Sequence, residues 1–177
     1  MIKNILFLLL FSPLWSVAAS ASGTWQKKWC VESESDQYSV TSLGGDTLEI
    51  LAPKGLTLWY RQMLKGDMTA EYDACVMDEG RDGDRLSDMN FFWMASDPQA
   101  KDIWTRMASR KGVFANCSQL QLYYLGYGGN YNTTTRFRRY HGEPKPPIVK
   151  EYTDADHLLK PNHWYHIRIQ SLKGLVS

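Results

Sequence analysis

The sequence is short of cysteine, has almost no excess of either charge, and carries only one long apolar run. Its three cysteines, Cys30, Cys75 and Cys117, are an odd count with no C-x-x-C spacing, which excludes a cysteine metal site. In an oxidising compartment they allow one disulfide and one free thiol. Cys75 sits mid-strand among apolar neighbours and reads as a buried thiol, so Cys30 and Cys117 are the remaining pair. A balance of 20 basic and 19 acidic residues leaves a formal charge of +1. That excludes the broadly basic surface that nucleic acid requires. No serine nucleophile elbow, glycine-rich phosphate loop or internal repeat is present. His163 and His166 fall on opposite faces of one strand, so H-x-x-H makes a poor metal pair. No metal or cofactor is expected from these patterns.

The apolar run lies at the start. Lys3, the run Ile5 to Val17 and Ala19-Ser20-Ala21 have the order of a secretory leader: positive region, apolar region, small-residue cleavage site. Ser12 and Pro13 interrupt the run, which is too short to favour a membrane span. Residues 1–21 are therefore expected to be a signal peptide outside the fold, and 22–177 one secreted or periplasmic domain. Losing Lys3 leaves 19 basic and 19 acidic residues, so any anion recognition must be local.

The place for it is Tyr123 to Tyr140, YYLGYGGNYNTTTRFRRY. Gly128, Gly129 and Asn130 mark a turn where positive φ is easily adopted. The run from Asn132 to Tyr140, rich in β-branched and aromatic residues, reads as a strand. Alternation then puts Asn132, Thr134, Arg136, Arg138 and Tyr140 on one face, spaced roughly 6.6 Å apart. Thr133, Thr135, Phe137, Arg139 and His141 take the other. Two guanidiniums, an amide and a phenol in a row suit an anionic, hydroxyl-rich ligand. Arginines on a strand are also commonly a solvated face or partners of cross-strand carboxylates.

Elsewhere the chain reads as short strands broken by Gly, Asp and Pro. In Met68 to Met77 the core face is Ala70, Tyr72, Ala74 and Val76, with Glu71, Asp73 and Cys75 opposite. Asp78 to Asp88 holds five acidic residues, and calcium is considered there. Arg81 and Arg85 neutralise it from within, which favours a solvated loop instead. In Met89 to Ala95, Asn90, Phe92 and Met94 oppose Met89, Phe91 and Trp93. Asp97-Pro98 predicts a helix start, with Ile103, Trp104, Met107 and Ala108 as its stripe down to about Ser109. Turn signals every 8–12 residues or so indicate an all-β sandwich of two antiparallel sheets with that one short inserted helix.

Three motifs, EYDACVMDEGRDGDRLSDMNFFWMASDP, YYLGYGGNYNTTTRFRRY and LLKPNHWYHIRI, carry a resemblance. The span from Thr47 to Gln170 resembles a family of secreted bacterial proteins of the concanavalin A-like jelly-roll class. Its members accompany enzymes that degrade pectin-type polysaccharides, particularly rhamnogalacturonan. The resemblance implies a sandwich with a concave face and a carbohydrate ligand, with no assigned reaction. It also implies further strands after LLKPNHWYHIRI, so the domain is expected to be incomplete at its C-terminal end.

Three functions fit. A polysaccharide lyase acting on a uronate glycan needs the substrate carboxylate neutralised, by Arg136 or Arg138 with Asn132 or Asn90. Its base would be Tyr140, with a pKa lowered by the neighbouring arginines, or His166. A glycoside hydrolase would use Glu71 and Asp73, the one suitably spaced carboxylate pair. A binding module needs only exposed aromatics such as Trp93, Tyr127 and Trp164. The lyase is the leading expectation.

Overall fold

The computed structural model describes residues 3–10, 25–81, 84–173 and 175–176. They form three antiparallel sheets. A four-stranded sheet contains β7 (Met89–Ser96), β8 (Gln121–Gly128), β9 (Thr134–His141) and β10 (Ile148–Tyr152), in the order β10-β9-β8-β7. A two-stranded sheet pairs β2 (Trp29–Ser33) with β5 (Leu56–Tyr60). The third sheet runs β12-β11-β6-β1-β4-β3. Its members are β1 (Lys3–Leu10), β3 (Ser39–Gly44), β4 (Thr47–Ala52), β6 (Met68–Val76), β11 (Trp164–Leu172) and β12 (Leu175–Val176).

Both faces of the four-stranded sheet carry a core cluster, which explains why its strands are aromatic on alternate and intervening positions alike. One face sends Phe91, Trp93, Tyr123, Leu125 and Phe137 against Tyr72, Ala74, Val76 and Ile169 of β6 and β11. Trp93 stacks on Tyr123 and Phe137 at centroid distances of 5.6 and 5.7 Å, and Tyr72 on Phe91 at 5.5 Å. Such pairs add about 0.5–1.5 kcal/mol each beyond their buried area. The other face sends Phe92, Leu122, Tyr124 and Tyr140 against Trp59, Cys30, Ile103 and Cys117.

The leader expected over residues 1–21 lies partly outside the described residues; its described part, Lys3–Leu10, pairs antiparallel with both β4 and β6. Two facing strand edges with unpaired N–H and C=O groups are a template for an extended segment. Two expectations change here. The helix expected from Asp97 to Ser109 shrinks to one turn, α1 (Met107–Arg110). Asp97 accepts from the Gln99 N–H, and Asp102 from the N–H groups of Trp104 and Thr105, so each closes its own local turn. Asp97 is moreover buried against Arg106 and Arg110, at 3.2 and 3.7 Å, and Arg110 pairs at 2.8 Å with buried Glu32 of β2. This network ties the 97–110 segment to the two-stranded sheet in place of a helix axis. Finally, Cys30 and Cys117 are both free thiols in the same core. Cys30 Sγ turns to the Trp59 carbonyl at 3.5 Å and to Met107 Sδ at 3.8 Å.

In the Asp78 to Asp88 loop, the described arginines answer the acids locally. Arg81 reaches Glu79 and Asp84, each at 3.4 Å, and Arg85 pairs with Asp88. Among the described residues no His, Cys, Asp and Glu side chains cluster as a metal site.

Candidate functional site

β8 and β9 form a hairpin whose register sets the site. Gly126 lies opposite Arg136, Tyr124 opposite Arg138, and Leu122 opposite Tyr140. β7 extends these rows with Asn90 opposite Gly126 and Phe92 opposite Tyr124. β10 adds Glu151 opposite Arg136. Arg136, Arg138 and Tyr140 therefore share one face and line one groove of about 790 Å³, while Phe137 points to the opposite core. That volume is in the range of small-ligand sites.

The groove is cationic. Among the described residues, Arg85, Arg136, Arg138 and Lys145 line it against one acid, Asp88. Arg136 pairs with Glu151, and Arg85 with Asp88. Arg138 instead donates to the Pro146 carbonyl at 2.6 Å, and among the described residues it has no carboxylate partner. A guanidinium pointed into a groove without its own counter-ion is a ready site for a ligand carboxylate.

Two phenols stand beside it. The Tyr124 hydroxyl donates to Asn90 Oδ1 at 3.1 Å, and its ring lies over Gly126, where a Cβ would come within 2.2 Å of that hydroxyl. Gly126 is thus required by close approach, not by its φ. Tyr140 is 4% exposed. Burial pushes its phenol from 10.0 to about 12, buried Cys117 pushes the same way, and Arg138 only partly opposes them. The expectation that the arginines lower the Tyr140 pKa is overturned, because desolvation outweighs the charge. Burial likewise raises Tyr124 well above the usual phenol range.

Other expected site residues lie elsewhere. His166 is on β11, in the six-stranded sheet, with a side chain 60% exposed and its Nδ1 2.8 Å from Asp73. Glu71 on the same β6 pairs with Arg168 at 2.9 Å. Trp93 is 8% exposed, within the core. Tyr127 faces that same core and donates to the Leu158 carbonyl at 3.4 Å. Asn132 precedes β9, and its amide clamps a loop: Nδ2 donates to the Leu159 carbonyl at 2.9 Å and Oδ1 accepts the Leu159 N–H at 2.8 Å. Trp164, 49% exposed, is on β11 and not in the groove. The structure thus gathers Arg136, Arg138 and Tyr140, with Asn90 attached through Tyr124.

Sequence reasoning missed Tyr124, Arg85 and Tyr131 of the groove lining. Tyr124 was accessible from the hairpin symmetry about the Gly128 to Asn132 turn, which sets it across from Arg138. Tyr131 was signalled by an aromatic residue between two asparagines within a turn. Arg85 had no local signal, because a loop remote in sequence delivers it.

Residues 50–177 match the model of a Domain of unknown function (DUF6250), so the chain belongs to that family. No curated protein and no solved structure matches the chain.

Proposed function

We propose that this DUF6250 domain is a secreted carbohydrate-active protein whose groove takes a uronate-containing, pectin-type glycan and cleaves it by β-elimination. The observation that carries the reading is Arg138, unanswered by a carboxylate among the described residues, beside Arg136 and two phenols on one sheet face. Arg138 takes the sugar carboxylate, which makes the proton on the adjacent carbon acidic. The Tyr140 oxygen, once deprotonated, accepts that proton. The electron pair left behind forms the carbon–carbon double bond as the glycosidic C–O bond breaks. The leaving oxygen then takes the proton back from Tyr140. Tyr140 rests protonated with a pKa near 12, so turnover rises with pH across the alkaline range.

The leader-like order of Lys3, the run Ile5 to Val17 and Ala19-Ser20-Ala21 supports export. Two antiparallel sheets facing across Tyr72, Phe91 and Trp93 support the concanavalin A-like jelly roll as the finer architecture. Glu71 and Asp73, the pair of the hydrolase reading, lie on β6 with Arg168 and His166 as partners, away from the groove lining. A binding module is the second reading, favoured by the burial that keeps both phenols protonated at neutral pH.

A panel of pectic and uronate-rich polysaccharides tests this, read for unsaturated product by ultraviolet absorbance and for new reducing ends. The wild type is expected to give both signals. Arg138→Ala is expected to lower kcat/KM by about 100-fold or more, the scale for losing an electrostatic stabiliser. Reducing ends without ultraviolet signal would end the lyase reading. Binding without either signal would establish the second.

A further inference from the structure

The turn joining β8 to β9 is strained, and the strain displays one ring. Asn130, Tyr131 and Asn132 have φ of 52, 58 and 58°, three consecutive left-handed residues that are not glycine. L-residues enter this region as isolated positions, and Tyr is a poor occupant because its Cβ crowds the backbone. The conformation is imposed by its surroundings. The Thr133 N–H closes onto the Gly129 carbonyl at 3.0 Å, and the Thr133 hydroxyl onto the Asn130 carbonyl at 2.8 Å. Asn132 clamps Leu159 on both sides of its amide. Gly128 begins the turn at φ 66°, and a Cβ there would lie 2.4 Å from Leu159 Cδ1.

Tyr131 is 70% exposed, and among the described residues its hydroxyl has no hydrogen-bond partner. Its ring meets Arg85, whose guanidinium carbon lies 5.0 Å from the ring centroid and whose charge is paired with Asp88. All three line the groove at the Thr134 end of β9. From there Arg136, Arg138 and Tyr140 follow along the strand over about 20 Å. A bulky aromatic held by backbone strain in solvent, steadied by a cation at the mouth of a cationic groove, fits ligand contact.

We infer that Tyr131, steadied by Arg85, is a stacking subsite for a sugar ring of the acidic glycan beyond the residues held by Arg136 and Arg138. This rests on the proposed glycan reading and extends it to chain length: the groove is built for oligomers, and its outer end selects them. Asn130, whose amide donates to Thr134 Oγ1 at 3.3 Å, fixes the approach of the ring to the strand.

Calorimetric titration with digalacturonate and hexagalacturonate tests the subsite on wild type, Tyr131→Phe and Tyr131→Gly. Hexagalacturonate should bind Tyr131→Gly about tenfold more weakly, the scale of one lost aromatic contact, while Tyr131→Phe keeps wild-type affinity. Digalacturonate should bind all three alike. Glycine also relieves the left-handed strain, so Tyr131→Gly should unfold at a higher temperature than wild type. Equal hexagalacturonate affinity in wild type and Tyr131→Gly overturns the subsite, as does a lower unfolding temperature, which would make the ring a support of the fold. A wild type that binds neither oligomer overturns the glycan reading itself and the subsite with it.

Discussion

Tyr140 shows how burial and charge compete at a single residue. Arg138 draws its phenol toward ionisation, yet desolvation dominates and the phenol stands at about 12 against an ordinary 10.0. The consequence for stability has a definite sign. A folded pKa above the unfolded one means that the folded state holds its proton longer. That stabilisation is complete below pH 10 and is lost as pH rises from 10 to about 12. Tyr140→Phe removes the titrating group and keeps the ring. Its urea midpoint should fall less across this window than the wild type's, and parallel curves would contradict the account. The same residue marks what the sequence could and could not carry. Alternation along β9 correctly placed Arg136, Arg138 and Tyr140 on one face, because a period of two is local. Depth of burial was not legible, since it depends on Cys117 and Trp59 arriving from distant segments.

At the scale of elements, faces were readable and sheet membership was not. The core face of β6, Ala70, Tyr72, Ala74 and Val76, is buried as the alternation implied. His166 nonetheless fell outside the groove, because nothing local tells β11 to pair with β6 and not with β7 or β10. Trp93 was read as ligand-facing because β7 carries aromatic residues on both faces and so gives no polar side to judge by. Asp97-Pro98 carried a genuine helix-start pattern, overridden by the ion pairs of Asp97 with Arg106 and Arg110. β1 occupies an interior position in the six-stranded sheet. It pairs with β4 on one side and β6 on the other, so removing residues 1–21 exposes two strand edges at once. A chain starting at Ser22 should therefore unfold at lower urea concentration than the full chain, and bind a peptide of residues 3–10 in trans with recovery of the midpoint. Identical midpoints with and without residues 3–10 would show that β1 adds nothing to the sheet.

For the molecule as a whole, near-neutral composition and a cationic groove are two sides of one arrangement. Twenty basic and nineteen acidic residues leave little general field. Most described arginines are answered by carboxylates: Arg110 by Glu32, Arg168 by Glu71, Arg106 by Asp97. Among the described residues Arg138 is the groove arginine that this pairing passes over, and it lies opposite Tyr124 and two residues before Tyr140 on β9. Recognition should consequently depend on the ligand's own charge and weaken with salt, because the attraction is local and screened. Titration of the protein with polygalacturonate before and after full methyl esterification measures this directly. The account predicts binding to the acid that weakens as ionic strength rises and is lost on esterification, which removes the charge and keeps the sugar. Equal binding to the ester and the acid would contradict it.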